Sequence, residues 1–243
     1  MRIQLLSDVH LEFHPDHGRD FVQRLEPEGV DVLVLAGDIA VGPGIVEAVG
    51  MFCDRYRGAQ VVYVHGNHEF YGAPREAVVA WTRDAMRAHA NLRWLDAGVA
   101  EIRGRRFLGG TLWFRPGEFS KTLERGLTDF SAIPELKSWV YEENARMLEL
   151  LRTELRPGDI VVTHHLPTTR SVTPRFTGSP LNVFFVCDVE SLILERGPAL
   201  WMHGHTHSSV SQALGATRVL CNPFGYVGWG RNPSFSERLL VEM

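Results

Sequence analysis

The sequence predicts an α/β fold of two packed sheets with helices outside them, and three observations carry that expectation. Aliphatic runs such as Val32-Leu33-Val34-Leu35-Ala36 have the pattern of strands buried on both faces. In the first third of the chain such runs alternate with stretches of helical spacing, the order that builds a parallel sheet. Short strand patterns at 92–114 and again at 199–242 supply the strands of a second sheet.

In chain order, Ile3 to Leu6 reads as a strand and Phe21 to Leu25 as a short helix. Val32 to Ala36 is the next strand. Ile45, Ala48, Val49, Phe52 and Tyr56 recur at helical spacing, and Gln60 to His65 is again a buried strand. Pro74 suits a first helical position, and Val78, Trp81 and Ala85 continue an apolar stripe behind it. Leu92 to Leu95, Val99 to Ile102, Arg106 to Leu108 and Thr111 to Phe114 read as short strands, most of them separated by turns that contain glycine. Residues 115–133 show no regular pattern. Pro134 opens a long helix with Leu136, Val140, Met147, Leu151 and Leu155 on one side, and Pro157-Gly158 ends it. Ile160 to Thr163 is a buried strand. Residues 167–186, which begin rich in Pro, Thr, Gly and Ser, form the longest loop. A helix at Val189 to Glu195 and strands near 199–202, 209–213, 217–221 and 237–242 close the chain. No repeat, low-complexity tract or linker interrupts it, so residues 1–243 are expected to form a single domain.

The formal net charge of −4 argues against a protein that binds nucleic acid mainly through phosphates. The three cysteines, Cys53, Cys187 and Cys221, are odd in number and widely spaced. They are expected as free, mostly buried thiols in a reducing compartment. The N-terminus lacks the pattern of a signal peptide, and no apolar stretch approaches membrane-spanning length. A cytoplasmic location with no membrane partner is the expectation; oligomeric state is not encoded in these patterns.

Chemistry is concentrated in five short blocks at strand ends. They are Asp8-Val9-His10, Gly37-Asp38, Gly66-Asn67-His68-Glu69, His164-His165 and His203-Gly204-His205-Thr206-His207. An open α/β sheet puts its working site at the carboxyl ends of its strands, so blocks far apart in sequence can meet there. Together they bring two carboxylates, one amide and several imidazoles, the set that two adjacent divalent cations need. Asp8 and His10, two residues apart, would fall on one side of an extended segment. Asp38 ends a wholly apolar strand, where the alternative is a helix cap or turn residue. Gly66 permits an unusual turn, Asn67 offers a neutral oxygen ligand, and His68 can stay off the metal and act as an acid. Adjacent side chains diverge, so His164 is expected as the ligand and His165 as its support. A turn at Gly204 can aim His205 and His207 at neighbouring ions. His65 and His203 are expected as supporting or core groups, and His14 and His17 as residues of a solvated loop. Arg170, Arg175, Asn182, Tyr226 and Trp229 lie in loops expected near the site, where an arginine such as Arg175 could fork onto a phosphate. Asn222 to Tyr226 reads as a turn that lines the pocket or anchors the last sheet.

In this order, D-x-H, G-D, G-N-H-E, H-H and G-H-T-H resemble the calcineurin-like metallophosphoesterases, from Asp8 to His207. Many members carry a second acidic residue as G-D-x-x-D, and Ile39-Ala40-Val41 departs from that pattern; the missing residue is usually not a ligand. The resemblance implies a four-layer αββα sandwich of two mixed sheets flanked by helices. It also implies that Asp8, His10, Asp38 and His207 hold a first metal, and that Asp38, Asn67, His164 and His205 hold a second, with Asp38 bridging. His68 would protonate the leaving oxygen or steady the developing charge.

Two cations roughly 3.5–4 Å apart clamp both sides of an in-line displacement and generate hydroxide at neutral pH. The mixed nitrogen and oxygen set has no thiolate and suits Mn, Fe, Zn or Co alike. The expected activity is therefore a dinuclear-metal phosphoesterase that uses a metal-bound hydroxide on a small phosphomonoester or phosphodiester. A nucleotide is possible as substrate and a nuclease is disfavoured. The rivals are a metal-free interaction module and a regulatory subunit that keeps the fold. Either should have lost ligands, and every expected ligand is present.

Overall fold

The computed structural model describes residues 1–243. Strands β1 (Arg2–Leu6), β2 (Val32–Ala36), β3 (Gln60–Val64) and β4 (Leu92–Trp94) lie side by side and parallel. Helices α1 (Arg19–Arg24), α2 (Gly44–Arg55) and α3 (Arg75–Ala88) connect them. Successive strand side chains point to opposite faces. Thus Leu33, Leu35, Val61 and Tyr63 pack with Ile45, Val49, Phe52 and Val78 of the helices, while Val32, Val34, Val62 and Val64 face the other way.

That other way leads to a second sheet. It holds β5 (Gly98–Ile102), β6 (Arg105–Gly110), β7 (Ile160–Thr163), β8 (Leu200–His203), β9 (Val210–Leu214) and β10 (Thr217–Cys221). Its order is β5-β6-β7-β8-β10-β9, parallel from β6 to β10 with an antiparallel strand at each edge. Phe107, Ile160, Val162, Leu200 and Met202 meet the first sheet's inner face. Between β6 and β7 the chain forms α4 (Lys121–Arg125), α5 (Asp129–Ala132) and the long α6 (Leu136–Glu154). Between β7 and β8 come α7 (Asn182–Phe185) and α8 (Glu190–Arg196). Leu108, Val161, Trp201 and Val219 pack outward on Met147, Leu151 and Ile193 of α6 and α8. The result is helix, sheet, sheet, helix, the expected four layers. A two-stranded ribbon, β11 (Gly225–Tyr226) and β12 (Gly230–Arg231), follows. Then β13 (Leu240–Glu242) returns antiparallel to β1.

Five details differ from expectation, the first being that residues 167–186, read as one loop, hold two 3-10 turns and α7. Thr111 to Phe114 is not a strand: Leu112 has φ 57, and the Thr111 carbonyl accepts the amides of His164 and His165. Trp113 and Phe114 are aromatic because they are buried, which mimics strand composition. Residues 115–133 hold two short helices, the first capped by the Ser120 hydroxyl. The long helix starts at Leu136, because left-handed Glu135 separates it from Pro134. The final strand is shorter than 237–242. All three cysteines are free and buried, and no helix is long and apolar enough to cross a membrane.

Candidate metal centre

The carboxyl ends of β1, β2, β3, β7 and β8 converge, and the five blocks arrive there together. Loop amides stitch the first two ends: Asp8 N–H donates to Gly37 O and His10 N–H to Asp38 O, each at 3.0 Å. The segment at Asp8 and His10 is not extended as expected. Both residues have left-handed φ near 50, and so do Asp38, His205 and His207 at 55, 70 and 50. Each such non-glycine residue costs about 1–2 kcal/mol. Concentrated strain of this kind marks sites where side-chain aim outweighs backbone comfort. Gly66 and Gly204 are required by close approach. A Cβ at Gly66 would lie 2.1 Å from Asp38 Oδ1, and one at Gly204 2.7 Å from Asp8 Oδ2.

Proton accounting shows what the convergence suits. His164 Nδ1 faces the Ala36 carbonyl at 2.9 Å and must carry hydrogen there, so Nε2 presents a lone pair. That lone pair faces Asn67 Oδ1 at 3.1 Å, His205 Nδ1 at 3.2 Å and Asp38 Oδ2 at 3.4 Å. Asn67 Oδ1 is the inward atom because its amide nitrogen donates to Asp129 Oδ1 at 2.9 Å. On the other side, His10 Nδ1 points at Glu12 Oε1 at 3.3 Å, leaving Nε2 to face His207 Nε2 at 3.2 Å and Asp38 Oδ2 at 3.8 Å. His207 Nε2 lies 3.4 Å from Asp8 Oδ1. Lone pairs thus meet lone pairs, an arrangement that a cation satisfies and that neutral groups alone do not. Burial lowers the basicity of His164, but Asp38 and Asp8 outweigh it and raise it to about 10. Without a cation, a proton takes its place. Burial would raise the Asp38 carboxyl, yet the imidazoles of His164, His68 and His10 hold it well below its ordinary range. His205 stays neutral, as a ligand must, because burial depresses it strongly.

The sequence model of the calcineurin-like phosphoesterases matches residues 1–209. The chain belongs to this family. A curated relative, the UDP-2,3-diacylglucosamine hydrolase of Chromohalobacter salexigens, is 25% identical over 225 residues, covering 85% of this chain and 80% of that protein. The fold also matches the phosphopantetheinyl hydrolase of Mycobacterium tuberculosis at a TM-score of 0.72 and 17% identity, over 92% of this chain and 89% of that one. A Thermus thermophilus protein matches at 0.57 and 19%, over 93% and 89%. The phosphoesterase is a metal-dependent phosphohydrolase, and its two Asp/His clusters, which share Asp38, could hold the ions.

Three carboxylates that sequence reasoning gave no role, Glu69 and Asp129 buried and Glu12 partly so, hold the candidate ligand residues of this phosphoesterase. Glu69 accepts the backbone N–H groups of Gly66, Ile39 and Asp38 at 2.7, 2.8 and 3.1 Å and the Tyr63 hydroxyl at 2.9 Å. It therefore ties the β2 end to the β3 end. Burial and the Asp38 charge push it up to about 7 despite these donors. Replacing Glu69 by Ala leaves four buried donors unpaired at about 1–3 kcal/mol each. A loss of at least about 4 kcal/mol should lower Tm by roughly 10 °C. Scanning calorimetry checks this, and a change within about 2 °C would show that the loops hold without it. Glu12 sits between His10 Nδ1 and His68 Nδ1, at 3.3 and 3.5 Å. Asp129 Oδ1 accepts from Asn67 and from the Tyr71 hydroxyl at 2.6 Å, which fixes the Asn67 amide. Glu12, two residues beyond His10, and Glu69, inside the block at Gly66, carry a local signal, and Asp129 carries none.

His68 lies beside the cluster with its ring stacked 4.1 Å from Tyr71 and its Nε2 3.3 Å from the Tyr226 hydroxyl. Burial lowers its basicity, but Asp38 and Glu12 raise it to about 9. His165 packs 4.3 Å from the His205 ring with Nδ1 toward Thr111 O, and burial and His164 depress it to about 3. His203 bonds Ser171 Oγ and His65 bonds Thr82 Oγ1, both away from the ligand atoms. His14 reaches the Val9 carbonyl and His17 is exposed. Arg170 pairs with Glu190. Arg175 is exposed with its guanidinium over the Phe176 ring, and does not line the cleft at the cluster. Trp229 stacks on Tyr226, and Asn222 anchors the last sheet through Leu5 O and Ser236 O. The cleft is about 300 Å³ and is lined by Asp38, Asn67, His68, Tyr71, Asp129 and His205 among others, with no lysine or arginine.

Proposed function

We propose that this phosphoesterase hydrolyses a small phosphomonoester or phosphodiester with two divalent cations. Asp8, His10, Asp38 and His207 hold one, and Asp38, Asn67, His164 and His205 the other. The observation that carries this reading is a single atom: Asp38 Oδ2 lies within 3.8 Å of His10 Nε2 and 3.4 Å of His164 Nε2, so one carboxylate oxygen serves both clusters. Two cations there, when bound, lower the pKa of water and neutralise phosphoryl oxygens. The protein's own groups do the rest. Glu12 and the Ala36 carbonyl set the tautomers of His10 and His164, which turns both Nε2 atoms inward. His68 delivers a proton from Nε2 to the leaving oxygen, and Tyr71 and Tyr226 hold its ring. His165 and His203 support the ligand loops through Thr111 O and Ser171 Oγ, and Arg175, over the Phe176 ring and outside the cleft, has no part in the chemistry.

The name of the Chromohalobacter relative specifies a nucleotide derivative, which supports including nucleotide esters among the substrates. The buried free thiols fit work in a reducing cytoplasm. The test is reconstitution. Chelator-treated protein incubated with Mn²⁺, Fe²⁺, Zn²⁺ or Co²⁺ should take up about two ions per chain. It should then turn over members of a panel of monoesters, diesters, cyclic nucleotides and pyrophosphates. Uptake of no ion after Mn²⁺, with no turnover, would instead identify a metal-free interaction module.

A further inference from the structure

A second cavity, of about 140 Å³, opens beside the ligand cluster and differs from it in character. Leu166, Val172, Phe176, Leu181 and Phe185 make its walls, and Thr206 closes it. Phe176, Phe185 and Thr206 line the metal-ligand cleft as well, so the two spaces are neighbours across shared walls. The Phe185 ring lies 4.4 Å from the ring of His205, and Thr206 sits between His205 and His207. The cavity is held by backbone bonds: Leu166 N–H donates to Phe185 O at 3.1 Å and Cys187 N–H to Leu166 O at 3.0 Å. The Asn182 amide fixes the Phe176 carbonyl at 2.9 Å. Nothing in the proposed chemistry uses this space.

We infer that the cavity takes an apolar substituent, of about six carbons, carried by the phosphoester whose phosphorus sits at the ligand cluster. An apolar cavity of about 150 Å³ accommodates a benzene-sized group, which sets the size. The position of the shared walls sets the occupant, because a group entering there is adjacent to the phosphorus. The inference rests on the proposed phosphoester chemistry and adds the class of ester: one with a short alkyl or aryl arm rather than a wholly polar one.

The n-alkylphosphonates from methyl to octyl are the probes, since their single substituent has one place to go. Binding to the Mn²⁺-loaded protein is read by calorimetry. In the Zn²⁺-loaded, diamagnetic protein it is read by methyl NMR shifts of Leu166, Val172 and Leu181. Affinity should rise about fourfold per methylene. The rise should level near six carbons, with shifts at these methyls for hexylphosphonate and not for methylphosphonate. Val172→Phe fills the cavity and should flatten the series without changing methylphosphonate affinity. Leu181→Ala enlarges it and should move the plateau to longer chains. Methylphosphonate binding with no gain on lengthening overturns this inference alone. Absence of binding at every length overturns the metal-site reading and this one with it.

Discussion

Asp38→Asn is expected to remove nearly all phosphoesterase activity while leaving a folded chain. The two oxygens of Asp38 have different partners. Oδ1 accepts the His68 backbone N–H at 2.9 Å, and Oδ2 faces both His10 Nε2 and His164 Nε2. An asparagine has one acceptor oxygen for these two duties. With its oxygen in the Oδ1 position, the NH₂ group points into the space between the clusters, where a donor repels a cation. With the amide flipped, NH₂ meets the His68 N–H, a buried donor facing a donor. In the proposed centre, the loss of the bridging charge would also leave two cations to repel each other with no anion between them. A fall in kcat/KM of at least about 10³ is expected, corresponding to about 4 kcal/mol of transition-state stabilisation. Bound metal should fall from about two ions per chain to one or fewer. Far-UV circular dichroism should be unchanged, since the strands that deliver the residue are packed by Leu33, Leu35, Val32 and Val34. Full turnover in this variant with two ions retained would sink the bridging role.

The parts of this molecule that could be read from sequence are those where composition and position coincide. Val32 to Ala36 and Ile160 to Val162 are aliphatic throughout because both faces are covered, and such strands announce themselves. The residues just past such a strand lie at the working edge, which is why Asp38 and His164 stood out as candidates once the other blocks were read beside them. Four features escaped. Thr111 to Phe114 has strand composition, yet its carbonyl serves His164 and His165 and its rings fill the layer under the loops. The convergence of Asp8 and His10 depends on left-handed φ angles rather than on the period of a strand. Asp129 reaches Asn67 from a helix of four residues, 62 positions along the chain, and no spacing rule spans that distance. Glu69 stands inside a recognised block, but its duty is to amides of another strand end, Asp38 and Ile39. Local patterns encode strands and their ends; the groups that aim the ligands are set by how loops from different strands lie on one another.

His68→Ala separates substrates by their leaving groups. The backbone N–H of residue 68, which holds Asp38 Oδ1, survives the substitution, and the imidazole is not needed for either ligand cluster. Metal content should therefore stay at about two ions per chain. What disappears is a proton donor with a fixed aim. The ring is clamped between Tyr71 and an edge of His10, at centroid distances of 4.1 and 4.4 Å, and Glu12 and the Tyr226 hydroxyl lie near its two nitrogens. An alkoxide leaving group, which must be protonated as the P–O bond breaks, should lose about 10²–10⁴ in kcat, the range for a positioned general acid. A nitrophenolate leaves without help, and its ester should lose less than about tenfold. The slope of log kcat against leaving-group pKa should consequently become steeper in the variant than in the native protein. Tyr226→Phe serves as the control, because it keeps the imidazole and loosens only one of its neighbours, and its slope should stay close to native. Equal losses for alkyl and nitrophenyl esters in His68→Ala would mean that the imidazole steadies charge on the phosphoryl group instead of delivering a proton, and the acid would then have to be sought among the cleft's other proton carriers, with Tyr71 the first to test.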